Sequence, residues 1–154
     1  MSVPIRTFTS VEDLSSALGE TVGPGPWVVI DQSRVDAFAD CTGDDQWIHV
    51  DPERAAAGPY GATVAHGYLT LSMIPYLGRD LFALDFGSAR INYGSNKVRF
   101  PSAVRVGSAV RASATPSALT VQDGRGLLTV RWVIDTDGGG KPALVAETLT
   151  VVVL

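Results

Sequence analysis

Cysteine is almost missing from this chain: its 154 residues include one, Cys41. One thiol cannot form an internal disulfide or a multi-cysteine metal cluster, and such scarcity suits a reducing compartment. Cys41 follows Phe38 and Ala39 in a helix-like stretch and is expected to be a small buried apolar residue. Positive charge is also short, with 12 Lys and Arg against 16 Asp and Glu and a net charge of -4. A general nucleic-acid binder needs the opposite balance to neutralise phosphates. Long apolar runs are absent too, since none approaches the roughly 20 residues that span a bilayer. The N-terminal MSVPIRTFTSVEDL lacks the apolar centre of a signal peptide. These absences lead us to expect a cytoplasmic protein with neither membrane nor nucleic acid as partner.

What is present describes a folded chain. Hydrophobic residues make up 45% and charged residues 18%, a globular mix. The length suits one core, so residues 1–154 are read as a single domain. Ser10 and Asp13 form a capping box ahead of an apolar face of Val11, Leu14, Ala17 and Leu18. Gly23-Pro24-Gly25-Pro26 breaks that helix, and Trp27–Ile30 reads as a short buried strand. Asp31 or Ser33 caps a second helix with Val35, Phe38 and Ala39 at core spacing, ended by Thr42 and Gly43. Asp51 caps a short helix over 52–57 that opens with Pro52.

His66–Leu77 (HGYLTLSMIPYL) carries no charge after His66 and predicts a helix buried on every side, kinked or ended at Pro75. From about Ile91 the pattern turns to period two, with Val130, Trp132 and Ile134 on one face and a 135–140 turn cluster. Short links imply antiparallel pairing. The fold class is therefore α+β, a central buried helix wrapped by an antiparallel β-sheet.

Chemistry concentrates in 25 residues that hold both histidines: Gly43-Asp44 through His49, then His66-Gly67. Asp44 and His49, five positions apart in a loop leaving a helix, can turn toward one water as an acid–base pair. Spacing alone does not separate such a pair from a structural Asp and a satisfied His. Metal binding through His49, Asp51 and His66 has no local pattern such as H-E-x-x-H behind it, and no metal is expected. Gly67 opens the apolar helix, where an unsatisfied backbone N–H at the positive end of the dipole can hold an oxyanion. Close packing at Gly67 and capping by His66 are compatible with that role.

These residues resemble the MaoC-like (R)-specific enoyl-CoA hydratases of the hot-dog fold. That family carries G-D-x-N-P-x-H, matched here by Gly43, Asp44 and His49, and H-G-x-L-x-x-S, matched by His66, Gly67, Leu69 and Ser72. Gln46 and Trp47 depart from its Asn-Pro. ADCTGDDQWIHVDPERAAAGPYGATVAHGYLTLSMIP and INYGSNKVRFPSAVRVGS further resemble the short single-hot-dog actinobacterial branch related to nodulation protein N, where Gln-Trp is familiar. The resemblance implies an (R)-specific hydration of trans-2-enoyl-CoA with Asp44 and His49 catalytic, Gly67 as oxyanion donor, and His66 and Ser72 in support. It also implies a homodimer with edge-paired sheets. No separate cofactor is expected, since coenzyme A arrives as part of the acyl-CoA substrate.

Between Phe86 and Gln122 lie Arg90, Lys97, Arg99, Arg105 and Arg111 with no acidic residue. Lys97 and Arg99 share a strand face and are the candidates for the CoA phosphates; a solvated face explains part of this charge equally well. Pocket depth is expected to depend on Tyr68, Met73, Tyr76 and the loop around Tyr60. Three other activities compete: a hot-dog thioesterase, a (3R)-hydroxyacyl dehydratase of lipid synthesis, and a non-catalytic acyl-binding module. A thioesterase often places a carboxylate on the central helix, and none occurs here between His66 and Asp80.

Overall fold

Local signals in the sequence place most elements of the computed structural model, which describes residues 3–154. Strand β1 (Arg6–Phe8) leads into α1 (Val11–Ser16), where the Ser10 side chain accepts from the Asp13 amide at 3.1 Å. The Asp13 carboxylate accepts from the Thr9 amide and pairs with Arg6 at 2.6 Å, so it holds the turn before the cap. After β2 (Val28–Val29), Asp31 caps α2 (Gln32–Thr42) by accepting from the Arg34 amide. Gly43 ends α2 in the left-handed conformation, φ 76°, which glycine adopts without steric cost. Two short helices follow, α3 (Trp47–Val50) and the Asp51-capped α4 (Pro52–Ala56).

The central segment is two short helices, α5 (Gly67–Ser72) and α6 (Ile74–Gly78), meeting at Met73 with Pro75 in the first turn of α6. Around it curls a five-stranded antiparallel sheet made of β2, β4 (Ala89–Arg99), β5 (Ala109–Gln122), β6 (Arg125–Thr136) and β7 (Leu144–Val153), in the order β2-β5-β6-β7-β4. This is the expected α+β hot-dog arrangement. Asp123 and Gly124, both with positive φ, form the two-residue turn of the β5–β6 hairpin, the geometry that matches strand twist. A small parallel pair, β1 with β3 (Phe82–Leu84), was not legible in the sequence.

The core lies between the inner face of the sheet and the helices. Leu128, Val130, Trp132 and Ile134 of β6 meet Leu69, Met73 and Leu77, all buried. Gly78 permits the closest approach, because a Cβ there would stand 2.8 Å from the Trp132 ring.

Three expectations need correction. Trp27–Ile30 is an exposed edge with two paired residues, Trp27 and Val29 lying open and only Ile30 buried; it has one neighbouring strand and little to cover it. Cys41 is exposed, its Sγ near the Phe38 carbonyl, because it projects from α2 away from the Val35–Ala39 face. The central helix is not buried all round: Tyr68 is 70% exposed, and Ser72, Pro75 and Tyr76 share that open face. Strand β4 is likewise almost bare on both faces, with Tyr93 67% exposed.

Candidate active site

The Asp44–His49 loop is fixed before its side chains are placed. Gly43 turns the chain out of α2, and the Thr42 hydroxyl donates to the Phe38 carbonyl at 2.6 Å to hold the last turn. Asp44 then lies exposed, while α3 carries His49 inward to 7% exposure. The Val64 amide donates to the Ile48 carbonyl, and His49 Nδ1 lies 2.6 Å from the Val64 carbonyl. A carbonyl only accepts, so Nδ1 carries the proton and neutral His49 keeps its Nε2 lone pair free. Burial pushes the imidazole below its ordinary pKa, opposed by the Val64 hydrogen bond, reinforced by His66 and opposed by Asp44. The outcome is a neutral base beside a carboxylate.

His66 is held by the same logic. Its Nε2 donates to the Asp44 backbone carbonyl at 2.8 Å, and its Nδ1 is buried with no hydrogen-bond partner. The ring therefore ties Asp44 to the start of α5 and does not cap that helix. It stacks on His49 at 3.8 Å between centroids, inclined by 26°, with Phe38 on its flank at 5.0 Å. Ligand atoms of Asp44, His49 and His66 all fall within 4.8 Å of one another. Stacked rings, however, send their in-plane lone pairs side by side, and one ion about 2 Å from each nitrogen cannot lie in both planes.

Gly67 is the first residue of α5, whose opening amides have no partner within the helix. A Cβ at Gly67 would meet three Phe100 ring atoms at 3.1–3.2 Å. Its absence lets Phe100, at the end of β4, close over this helix start. Arg99 directly precedes Phe100, so the chain after β4 passes the start of α5. No hydrogen bond joins Lys97 or Arg99 to Asp44 or His49. Arg99 donates to the Val98 carbonyl, and Lys97 pairs in register with Glu147.

Ser72 lines a cavity of about 840 Å³ between α5–α6 and the sheet. Ile74, Phe82, Leu128, Val130 and Trp132 make it apolar on one side; Asn92, Ser95, Thr148 and Thr150 add hydroxyls and amides on the other. Trp132 is fixed there by an indole N–H bond to the Thr148 hydroxyl at 3.0 Å. Tyr60, Tyr68, Met73 and Tyr76, expected to set pocket depth, do not line it: Met73 points into the core and the tyrosines lie on the surface. A second hollow, about 260 Å³ between Trp27, Arg111 and the 135–141 turn, contains none of the candidate residues.

The model of the MaoC-like domain matches residues 13–135, a span that takes in both histidines, Asp44 and Gly67. The chain belongs to the MaoC-like domain family. A relative from Mycobacterium tuberculosis, 3-hydroxyacyl-thioester dehydratase Z, is 53% identical over 148 residues, covering 94% of this chain and 97% of the relative. Nodulation protein N of Rhizobium leguminosarum is 37% identical over 146 residues, covering 93% and 91%. Among solved structures, the (R)-hydratase from A. caviae involved in PHA biosynthesis aligns with a TM-score of 0.68 and 28% identity, over 86% of this chain and 94% of that one.

In this MaoC-like chain the sequence pointed to Asp44, His49, His66 and Gly67, and the structure gathers them. It did not point to Val64, whose backbone carbonyl sets the His49 tautomer, because any residue can supply a carbonyl. Phe100 and Trp132 were readable only as apolar residues. Among the described residues no helix is long and apolar enough to cross a membrane.

Proposed function

We propose that this protein is an (R)-specific enoyl-CoA hydratase, adding water to a trans-2-enoyl-CoA to give an (R)-3-hydroxyacyl-CoA. The observation that carries the reading is the free Nε2 of buried His49, held beside Asp44 at the start of α5. The chain is a lyase of the hydratase type, and its water-handling pair needs no redox or metal step. Asp44 and His49 hold a water against the β-carbon and take its proton as the oxygen bonds to that carbon. The double-bond electrons move to the thioester oxygen, which accepts from the Gly67 N–H. One of the pair then returns a proton to the α-carbon, and the thioester re-forms.

The same steps reversed are a (3R)-hydroxyacyl dehydration, the direction named in the M. tuberculosis relative; equilibrium and supply of substrate decide between them. A thioesterase is disfavoured because α5–α6 carries no carboxylate. The cavity beside Ser72 offers room for the acyl group, although Asp44, His49 and Gly67 do not line it, and Lys97 and Arg99 are the candidates for the CoA phosphates. Asp44→Asn keeps the loop's size and is expected to abolish loss of the enoyl absorbance of crotonyl-CoA without releasing thiol. Wild-type turnover in that variant would sink the assignment.

The protein is proposed to act as a homodimer. Strand β4 has one unpaired edge, and Ile91, Tyr93, Tyr68 and Phe100 leave apolar surface beside it, the kind of edge that natural proteins cover.

A further inference from the structure

Gln32, the first residue of α2, makes three side-chain hydrogen bonds that converge on the His49 loop. Its Nε2 donates to the His49 backbone carbonyl at 2.7 Å and to the Asp36 carboxylate at 2.8 Å. Its Oε1 accepts from the Thr63 hydroxyl at 2.6 Å. The amide can face only one way: reversed, its oxygen would stand against the carbonyl and the carboxylate, two acceptors. Thr63 is 4% exposed and directly precedes Val64, whose carbonyl accepts from His49 Nδ1–H. One amide thus ties the backbone that carries the His49 ring to the Thr63–Val64 segment that orients it.

From this geometry we infer that Gln32 and Thr63 are positioning residues for His49, a clip that holds the Nδ1–H tautomer and keeps Nε2 aimed at the reacting water. Neither touches the proposed substrate; each acts through His49. The inference rests on the hydratase reading for its kinetic consequence and not for its structural one. Without the clip, α3 can drift from Val64, the ring gains water, and both tautomers become populated. The groups facing His49 are the Asp44 carboxylate and the His66 ring. Asp36 faces Gln32 from the same helix and polarises its amide.

The test uses the full chain with Gln32→Met, which removes all three bonds at constant length, and Thr63→Val, with Thr63→Ser restoring the hydroxyl. Orienting partners of metal-bound histidines typically matter by about 10- to 100-fold, and by analogy kcat is expected to fall by about that factor in Gln32→Met and Thr63→Val. KM should change less than about threefold, and Thr63→Ser should recover most of the rate. The acid limb of the pH–rate profile should move up, because a wetter His49 loses the burial that holds its pKa down. Long-range ¹H–¹⁵N spectra of the histidine rings supply a readout independent of turnover: a single Nδ1–H form of His49 in the parent, a mixture in the two variants. Unchanged kcat and unchanged tautomer in both variants overturn the inference, as does a Thr63→Ser protein as slow as Thr63→Val. If the parent hydrates no enoyl thioester, the hydratase reading fails, while a tautomer shift still supports the clip.

Discussion

As the proposed base, His49 has a pKa held below its ordinary value by influences that oppose one another. Burial is the largest, and it disfavours the imidazolium more than the Val64 carbonyl and Asp44 favour it. A base must be unprotonated to take a proton from water, so kcat/KM should hold its plateau down to below about pH 6.5, the ordinary histidine value, and fall on the acid side of it. Folding stability should follow the same group. The unfolded chain protonates His49 at the ordinary value and the folded chain only at lower pH. The contribution is therefore intact above the unfolded value and is lost as pH falls through the folded one. Urea midpoints measured from pH 7.5 to 5 check the second expectation, and initial rates across the same range check the first. A rate profile with its acid limb above the ordinary value would show that His49 is not the base.

Packing between α6 and β6 decides what Gly78 can become. Alanine in place of glycine ordinarily strengthens a helix by up to about 1 kcal/mol. Here the added methyl meets the Trp132 ring at 2.8 Å, and Trp132 cannot step aside because Thr148 holds its indole and Phe82 stacks on it at 6.0 Å. Overpacking of this kind costs about 1–3 kcal/mol, so Gly78→Ala is expected to destabilise, seen as a lower denaturant midpoint with unchanged slope. At this scale much was readable in advance. Asp31, Asp51 with Pro52, and Gly43 announced their helix ends because caps are local chemistry. Alternation in β6 announced its inner face. The open side of α5 and α6 was not readable, since Tyr68 and Tyr76 look the same in a sequence whether their own chain covers them or not. The Gln32 clip joins residues 17 and 31 positions apart, and no local pattern encodes such a contact.

Considered whole, the molecule closes one side of its sheet and leaves the other unfinished. The β2 edge is two residues long, too short to recruit a strand, whereas β4 offers eleven. Sedimentation velocity is expected to find a dimer at micromolar concentration, and a monomer there would count against the paired β4 edges. The family and its core were legible because Asp44, His49 and Gly67 sit in contiguous motifs. The cavity was not, because its walls come from α5, α6, β3, β4, β6 and β7 together.

Phe100 links these two halves of the molecule. It leaves the end of β4 and rests on Gly67, so whatever settles the edge strand also settles the start of α5. In a paired protein, a ligand and a second subunit would then favour the same arrangement, and each would strengthen the other by reciprocity. Saturating acyl-CoA should lower the dissociation constant of the dimer, and dilution should slow turnover per chain before it unfolds anything. In the paired protein proposed above, catalytic output would then rise faster than in proportion to the amount of protein.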